Sequence, residues 1–236
     1  MNKDELLRVL EESYKKGKLT NKEHIRLLEA IENNKATYKE LNRLAEISGE
    51  ALSKALITNL DSIAFAEVPL GTEFAKGAVA PMLHSAYDEL ADLSVKVQSA
   101  INAANNVGLK AVKPKIKPDK VDGIVKRLAE EPYQGIKWII GEPVVNFVQN
   151  TVNDAVQANA RTQYKVGIAV KIVRRSTGHC CDWCNEVAGT FQYPNVPKDV
   201  YKRHKFCRCS VEYESGTGKI QNVHTKKWKS KRSTSL

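Results

Sequence analysis

The sequence predicts a mainly α-helical N-terminal region followed by a small α+β C-terminal module braced by a Cys/His metal site. Three observations carry this expectation. Apolar residues recur at three- and four-residue spacing through the N-terminal half, proline and lysine interrupt that pattern near the middle, and all five cysteines lie between Cys180 and Cys209. A chain of 236 residues has room for one or two domains.

The elements follow in order. Leu6, Leu7, Leu10 and Tyr14 share one helical face, and Ile25, Leu28 and Ile31 share another. Thr20 with Glu23, and Thr37 with Glu40, have the Ser/Thr-x-x-Glu spacing in which hydroxyl and carboxylate satisfy free backbone amides, so each marks a helix start. Pro69 and Gly71 make 63–71 a loop or a short extended piece. A longer helix is expected from Pro81 through Leu83, Tyr87, Leu90, Val97 and Ile101 to near Gly108. Segment 109–120 interleaves five lysines with Pro114 and Pro118, which favours an extended connector and places a boundary there. The expected units are 1–112, 113–214 and 215–236.

Beyond the connector, a short helix is expected over 121–130 and a break at Pro132 and Gly135. Pro143 opens a second long helix carrying Val144, Phe147, Val148, Val152, Ala155 and Val156 to Gly167, and 168–173 reads as a strand. Segment 36–56 can also be read as helix-turn-helix, with a turn at Ser48-Gly49. The second helix of such a unit offers only Lys54 beyond Glu50, where groove binding wants several cations or amides, so a helical hairpin serving packing is expected instead.

Charge divides the chain. Residues 1–106 hold 13 Lys/Arg against 16 Asp/Glu, and 107–236 hold 24 against 11, for an overall +10. The acidic to neutral half suits self-association or protein contacts, and the basic half a polyanion, most often nucleic acid. No apolar run reaches the length of a membrane span, and Met1-Asn2-Lys3-Asp4-Glu5 does not open a secretory signal, so a cytoplasmic setting is expected.

The cysteines have metal-ligand spacing. Cys181 and Cys184 form Cys-x-x-Cys, and His204, Cys207 and Cys209 supply a second half; a two-residue gap lets a tight turn aim two thiolates at one ion. Structural zinc is expected on Cys181, Cys184, His204 and Cys207. Cys209 is the reserve ligand, on the expectation that in a strand beginning at Cys207 only one of the two side chains reaches the metal. His179 and Cys180 are expected to be neighbours rather than ligands. An odd cysteine count and a reducing compartment argue against disulfides. Arg174, Arg175, Lys202, Arg203, Lys205 and Arg208 flank the ligands and are candidates either to stabilise thiolates or to meet phosphates. The His-x-Glu of zinc deaminases, the His-Glu-x-x-His of metalloproteases and a phosphate-cradling Gly-rich loop are all missing, so no catalytic residues are assigned. The stretch 215–236 carries Lys219, Lys226, Lys227, Lys229, Lys231 and Arg232 without an acid, and is expected to be a flexible tail that contacts a polyanion, with Trp228 available to stack.

The run from Asn146 to Tyr213 resembles the phage head morphogenesis, or Mu F-like, minor head proteins. It includes Arg174, Cys180-Cys181-Asp182-Trp183-Cys184, Ala188-Gly189-Thr190-Phe191, Tyr193, Val200-Tyr201-Lys202-Arg203-His204, Cys207-Arg208-Cys209 and Val211-Glu212-Tyr213. The helical half, with Asn-Ala-Ala-Asn-Asn-Val-Gly-Leu at 102–109 and Ile140-Gly141-Glu142-Pro143, looks like the version from phages of Gram-positive bacteria. The resemblance implies a helical region ahead of a compact α+β module, and a virion protein present in few copies. Such a protein would contact the portal, and the major capsid or scaffold protein, through its front half and double-stranded DNA through its basic half. Zinc is inferred from the ligands and not from the resemblance. Two rival readings remain at this stage: a zinc-braced nuclease, and a DNA-binding regulator using 36–56.

Overall fold

The computed structural model describes residues 2–177, 181–215, 219–221 and 228–230. Helix α1 (Lys3–Leu19) opens on a capping box in which Asn2 accepts from the Asp4 and Glu5 amides while Glu5 accepts from the Asn2 amide. Helix α2 (Lys22–Glu32) is capped by Asn21, whose Oδ1 accepts from the His24 amide, and not by Thr20. The Thr20 hydroxyl instead donates back to the Lys16 carbonyl at 2.9 Å, closing α1, and Glu23 pairs with Arg43. The Thr37–Glu40 box is present and starts α3 (Tyr38–Asp61).

Helix α3 runs without interruption through Ser48 and Gly49, so there is neither a helix-turn-helix nor a hairpin over 36–56. The physical reason is packing. Both residues are buried, and a Cβ on Gly49 would lie 2.9 Å from Val145 Cα. This glycine allows two helix backbones to meet, and the contact offsets the roughly 1 kcal/mol that glycine costs inside a helix.

After the expected loop, Gly71 (φ +87°) leads into α4 (Thr72–Phe74), a π-helical turn (Ala75–Val79) and α5 (Ala80–Ala104). The helical run thus begins well before Pro81. Pro81 has no N–H to return to the preceding turn, and the wider π turn sits immediately ahead of it. The connector ends earlier than expected, because Pro118 takes the first turn of α6 (Pro118–Glu130). Helix α7 (Tyr133–Ile136) and a 3₁₀ turn (Lys137–Ile140) precede α8 (Glu142–Lys165), which carries Pro143 in its first turn.

Strand β1 (Val170–Arg175) is central in an antiparallel sheet of order β2-β1-β3, with β2 (Gly189–Gln192) and β3 (Ser210–Ser215) on its two sides. Helix α9 (Asp182–Glu186) follows β1, and a 3₁₀ turn (Lys198–Tyr201) lies between β2 and β3. The stretch expected to be a flexible tail contains a two-stranded ladder, β4 (Lys219–Gln221) against β5 (Trp228–Ser230), with Gln221 opposite Trp228.

Helices α3, α5 and α8 form the centre, and α1 and α2 cover α3. Apolar side chains from both sides of the expected 112/113 boundary, from Leu6 to Tyr213, belong to one buried cluster. A buried polar chain crosses it. Tyr38 donates to Gln98 (2.8 Å), Gln98 and Gln163 both donate to Asn102 (2.8 Å each), and Tyr213 donates to Gln163. Such a chain fixes register as well as adding stability, since each member left alone would be a buried polar group without a partner. No helix among the described residues is long and apolar enough to cross a membrane.

Replacing Gly49 by Val forces α3 and α8 apart. The expected loss is about 1–3 kcal/mol, read as a lower urea midpoint; an unchanged midpoint would contradict the close helix contact.

Candidate metal centre

Two turns bring the cysteines together. Cys181 caps α9 and Cys184 lies within it, so the Cys-x-x-Cys gap spans the first turn of a helix, closed by the Asn185 amide on the Cys181 carbonyl (3.2 Å). The second turn is closed by the Cys207 amide on the His204 carbonyl (3.1 Å), with Phe206 at φ +61°. A positive φ on an aromatic residue is uncommon. Here it lets the chain reverse between the two donors.

The donors converge in two overlapping triads that share Cys184: Cys181, Cys184 and His204, and Cys184, Cys207 and Cys209, each with its donor atoms within 4.8 Å. His204 Nε2 stands 2.8 Å from Cys184 Sγ and 3.2 Å from Cys181 Sγ, and the Cys184 and Cys207 sulfurs are 3.8 Å apart. Thiolates held tetrahedrally at about 2.3 Å from an ion stand about 3.8 Å from each other. These side chains are therefore close enough to hold a metal ion. Cys184, Cys207 and Cys209 are buried, and Cys181 is exposed.

The surroundings aim the donors. His204 Nδ1 lies 2.6 Å from the Lys205 carbonyl, a contact that orients the ring with Nε2 towards the sulfurs. Asn146 of α8 donates to the His204 carbonyl (2.9 Å) and Asn153, two turns on, donates to the Tyr201 carbonyl (3.0 Å). Trp183 meets the His204 ring edge-on at 5.4 Å between centroids.

Arg174 is the charge partner of the cluster. Only 2% exposed, it donates through Nη1 to the Val200 and Lys202 carbonyls (2.7 Å each) and through Nη2 to the sulfurs of Cys207 (3.5 Å) and Cys184 (3.8 Å). A hydrogen bond from Cys209, helped by the positive charges of Arg203 and Arg174, holds the Cys207 thiol down to about 4. Burial pushes the Cys184 thiol up to about 11.

The geometry bears on three expectations about this region. Residues 207–209 precede the strand, and the Cys209 sulfur lies within 4.8 Å of those of Cys184 and Cys207, so Cys207 and Cys209 reach the same cluster. Arg174 is enclosed against the sulfurs and carbonyls and presents no surface to a phosphate. Arg208 is also committed internally: it grips Glu142 of α8 through two bonds (2.9 and 3.0 Å) and Glu46 of α3 at 3.0 Å.

The remaining flanking cations divide. Arg203 donates to Asn42 (3.1 Å) and Asn153 (3.3 Å), Arg175 pairs with Glu212 and Glu214, and Lys202 pairs with Asp199. Lys205 is exposed beside the Phe206 ring. Lys229 lies in β5; Lys226, Lys227, Lys231, Arg232, His179 and Cys180 lie outside the described residues.

Sequence reasoning missed the positioning roles of Asn42, Asn146 and Asn153. For α8 the signal was a stripe of amides, Asn146, Gln149, Asn150 and Asn153, at three- and four-residue spacing on one side of the helix. Comparison of the chain with protein-family models, with curated proteins and with solved structures returned no match.

The reduced protein is expected to bind about one divalent ion per chain. Chelation should remove hydrogen-exchange protection from β1, α9 and β3 before α3 and α5. A metal-free protein with the same protection pattern would contradict a metal centre.

Proposed function

We propose that this protein is a minor head protein of a tailed bacteriophage. It acts in procapsid and head assembly at or near the portal and contacts packaged double-stranded DNA. Its location is the interior of the virion head, after a period in the host cytoplasm during assembly. Its partners on this reading are the portal protein and the major capsid or scaffold protein. It binds rather than catalyses.

The observation that carries the reading is the convergence of the 181–184 and 204–209 segments. These are the most specific part of the resemblance to Mu F-like proteins, and they meet in one cluster backed by α3 and α8. The metal is zinc on this proposal, since a thiolate and imidazole donor set suits a borderline-soft ion that accepts four ligands. Cys181, Cys184, His204 and Cys207 would hold it, with Cys209 able to substitute for one of them. A shell filled by side chains leaves no open position for substrate or water, which supports a bracing role over a nuclease one. Three thiolates and a histidine around a dication carry a net charge of about −1, and Arg174 opposes it from within the fold.

Mass spectrometry of gradient-purified procapsids and DNA-filled heads tests this directly. The expected result is the chain in both fractions at few copies per particle. Its absence from particles, with abundance in the soluble fraction, would overturn the reading.

A further inference from the structure

We propose that a row of lysines fixed along α8, rather than the cations around the cysteines, forms the surface that takes the phosphate backbone of a nucleic acid. The proposal rests on the reading that the basic half meets DNA, and says where.

The row comes from the connector. Pro114 and Pro118 keep 109–117 out of a helix, and exposure alternates along it: Lys113, Lys115 and Lys117 are exposed, Pro114 is buried and Ile116 is half-buried. Alternation with a period of two sets three ammonium groups on one side at about 6.6 Å intervals, close to the separation of successive phosphates on a strand. The segment is clamped. Asn159 of α8 exchanges two bonds with the Val112 backbone, accepting from its N–H (2.8 Å) and donating to its carbonyl (3.0 Å), and Lys117 pairs with Asp154 at 3.1 Å. The connector backbone is therefore already placed, which lessens the ordering entropy lost on binding.

Two adjoining clefts of about 520 and 590 Å³ lie against this row, sharing Lys117, Asp154, Gln157 and Tyr193. Lys113, Lys115, Lys117, Lys120, Arg161 and Lys198 line them with one carboxylate, Asp154, and Lys202 and Arg203 of the cysteine-flanking set stand at their rim. Lys115, Arg161 and Lys198 are exposed and have no carboxylate within 4.0 Å among the described residues, in contrast to Arg175, Lys202 and Arg208. At the edge of the clefts Tyr193 meets the half-exposed Tyr164 ring at 5.2 Å, an aromatic surface against which a base can stack. Lys113 pairs with Asp92 (2.7 Å), Lys117 and Lys120 face Asp154, and Lys202 and Arg203 are engaged with Asp199 and Asn42. The open positive charge of the groove is therefore Lys115, Arg161 and Lys198 beside an aromatic wall, an arrangement that fits a polyanion.

The test is fluorescence anisotropy with the full-length, metal-loaded protein, using a labelled duplex and a single strand of the same sequence over a range of salt. The variants are Lys115→Gln/Arg161→Gln/Lys198→Gln and, as a control for net charge alone, Lys15→Gln/Lys16→Gln/Lys22→Gln on the far helices. Wild type is expected to bind, the control to bind within about twofold of it, and the groove variant to lose about tenfold or more at about 0.1 M salt. The duplex salt slope of the groove variant should fall by about 0.9 for each phosphate contact removed. The larger change of slope, on duplex or on single strand, identifies which form supplies the backbone. Equal losses in the two variants would overturn the groove while leaving the DNA reading intact. Failure of the wild type to bind either form would overturn both. Displacement of DNA by polyglutamate at lower charge concentration than by unlabelled DNA would assign the groove to an acidic protein and overturn the proposal.

Discussion

The approach of α3 to α8 at Gly49 and Val145 is the constraint on which the rest of the structure depends. Because the two backbones nearly touch, residues on both helices can reach the same segment of the C-terminal module. Asn42 of α3 donates to the Val211 carbonyl at 3.0 Å, while Asn146 and Asn153 of α8 hold the carbonyls of His204 and Tyr201. Arg208 then binds carboxylates from both helices at once. If the helices stood farther apart, one set of these bonds would be lost and the donors of the second turn would have no fixed position. The core accordingly includes side chains from the first helix to the last long strand.

The cysteine cluster sits at the far side of this arrangement, and its electrostatics follow from enclosure. Several sulfurs brought out of water would be costly as thiolates without positive charge nearby. Arg174 supplies that charge, and in the same position ties the Lys198–Tyr201 turn to β1 through carbonyl bonds. The guanidinium does both because its donors fork in fixed directions, which a lysine ammonium in the same place could not reproduce. A flanking cation in the sequence is thus an internal strut in the structure.

Much of the fold was legible in the sequence where local chemistry decides. Thr37 with Glu40, Pro143 at the start of α8 and the alternating strand before the cysteines all describe bonds or preferences within a few residues. The misreadings came where a distant contact decided instead. Ser48-Gly49 has turn chemistry, but burial against Val145 kept it helical. Thr20 had the right spacing for a cap, yet Asn21, equally suited, stands one residue closer to the helix start. The cysteine spacing pointed to residues whose donor atoms the fold brings within 4.8 Å in two overlapping triads, Cys209 among them. The roles of Arg174 and Arg208 were not legible, since a sequence shows that a cation is near a cysteine but not whether it faces inward.

The same division separates the two halves of the basic surplus. Cations next to the cysteines are mostly paired or enclosed, and Lys113 and Lys117 of the connector also meet carboxylates, whereas Lys115, Arg161 and Lys198 are exposed with no carboxylate within 4.0 Å among the described residues. Composition alone assigned both groups to a polyanion; pairing and burial distinguish them.

The central claim is that Cys181, Cys184, His204 and Cys207, with Cys209 in reach, form a pre-oriented metal shell. X-ray absorption at the zinc edge of the zinc-loaded protein tests it most directly. The account predicts four first-shell donors, at least three of them sulfur at about 2.3 Å. A shell of oxygen and nitrogen without sulfur would contradict it.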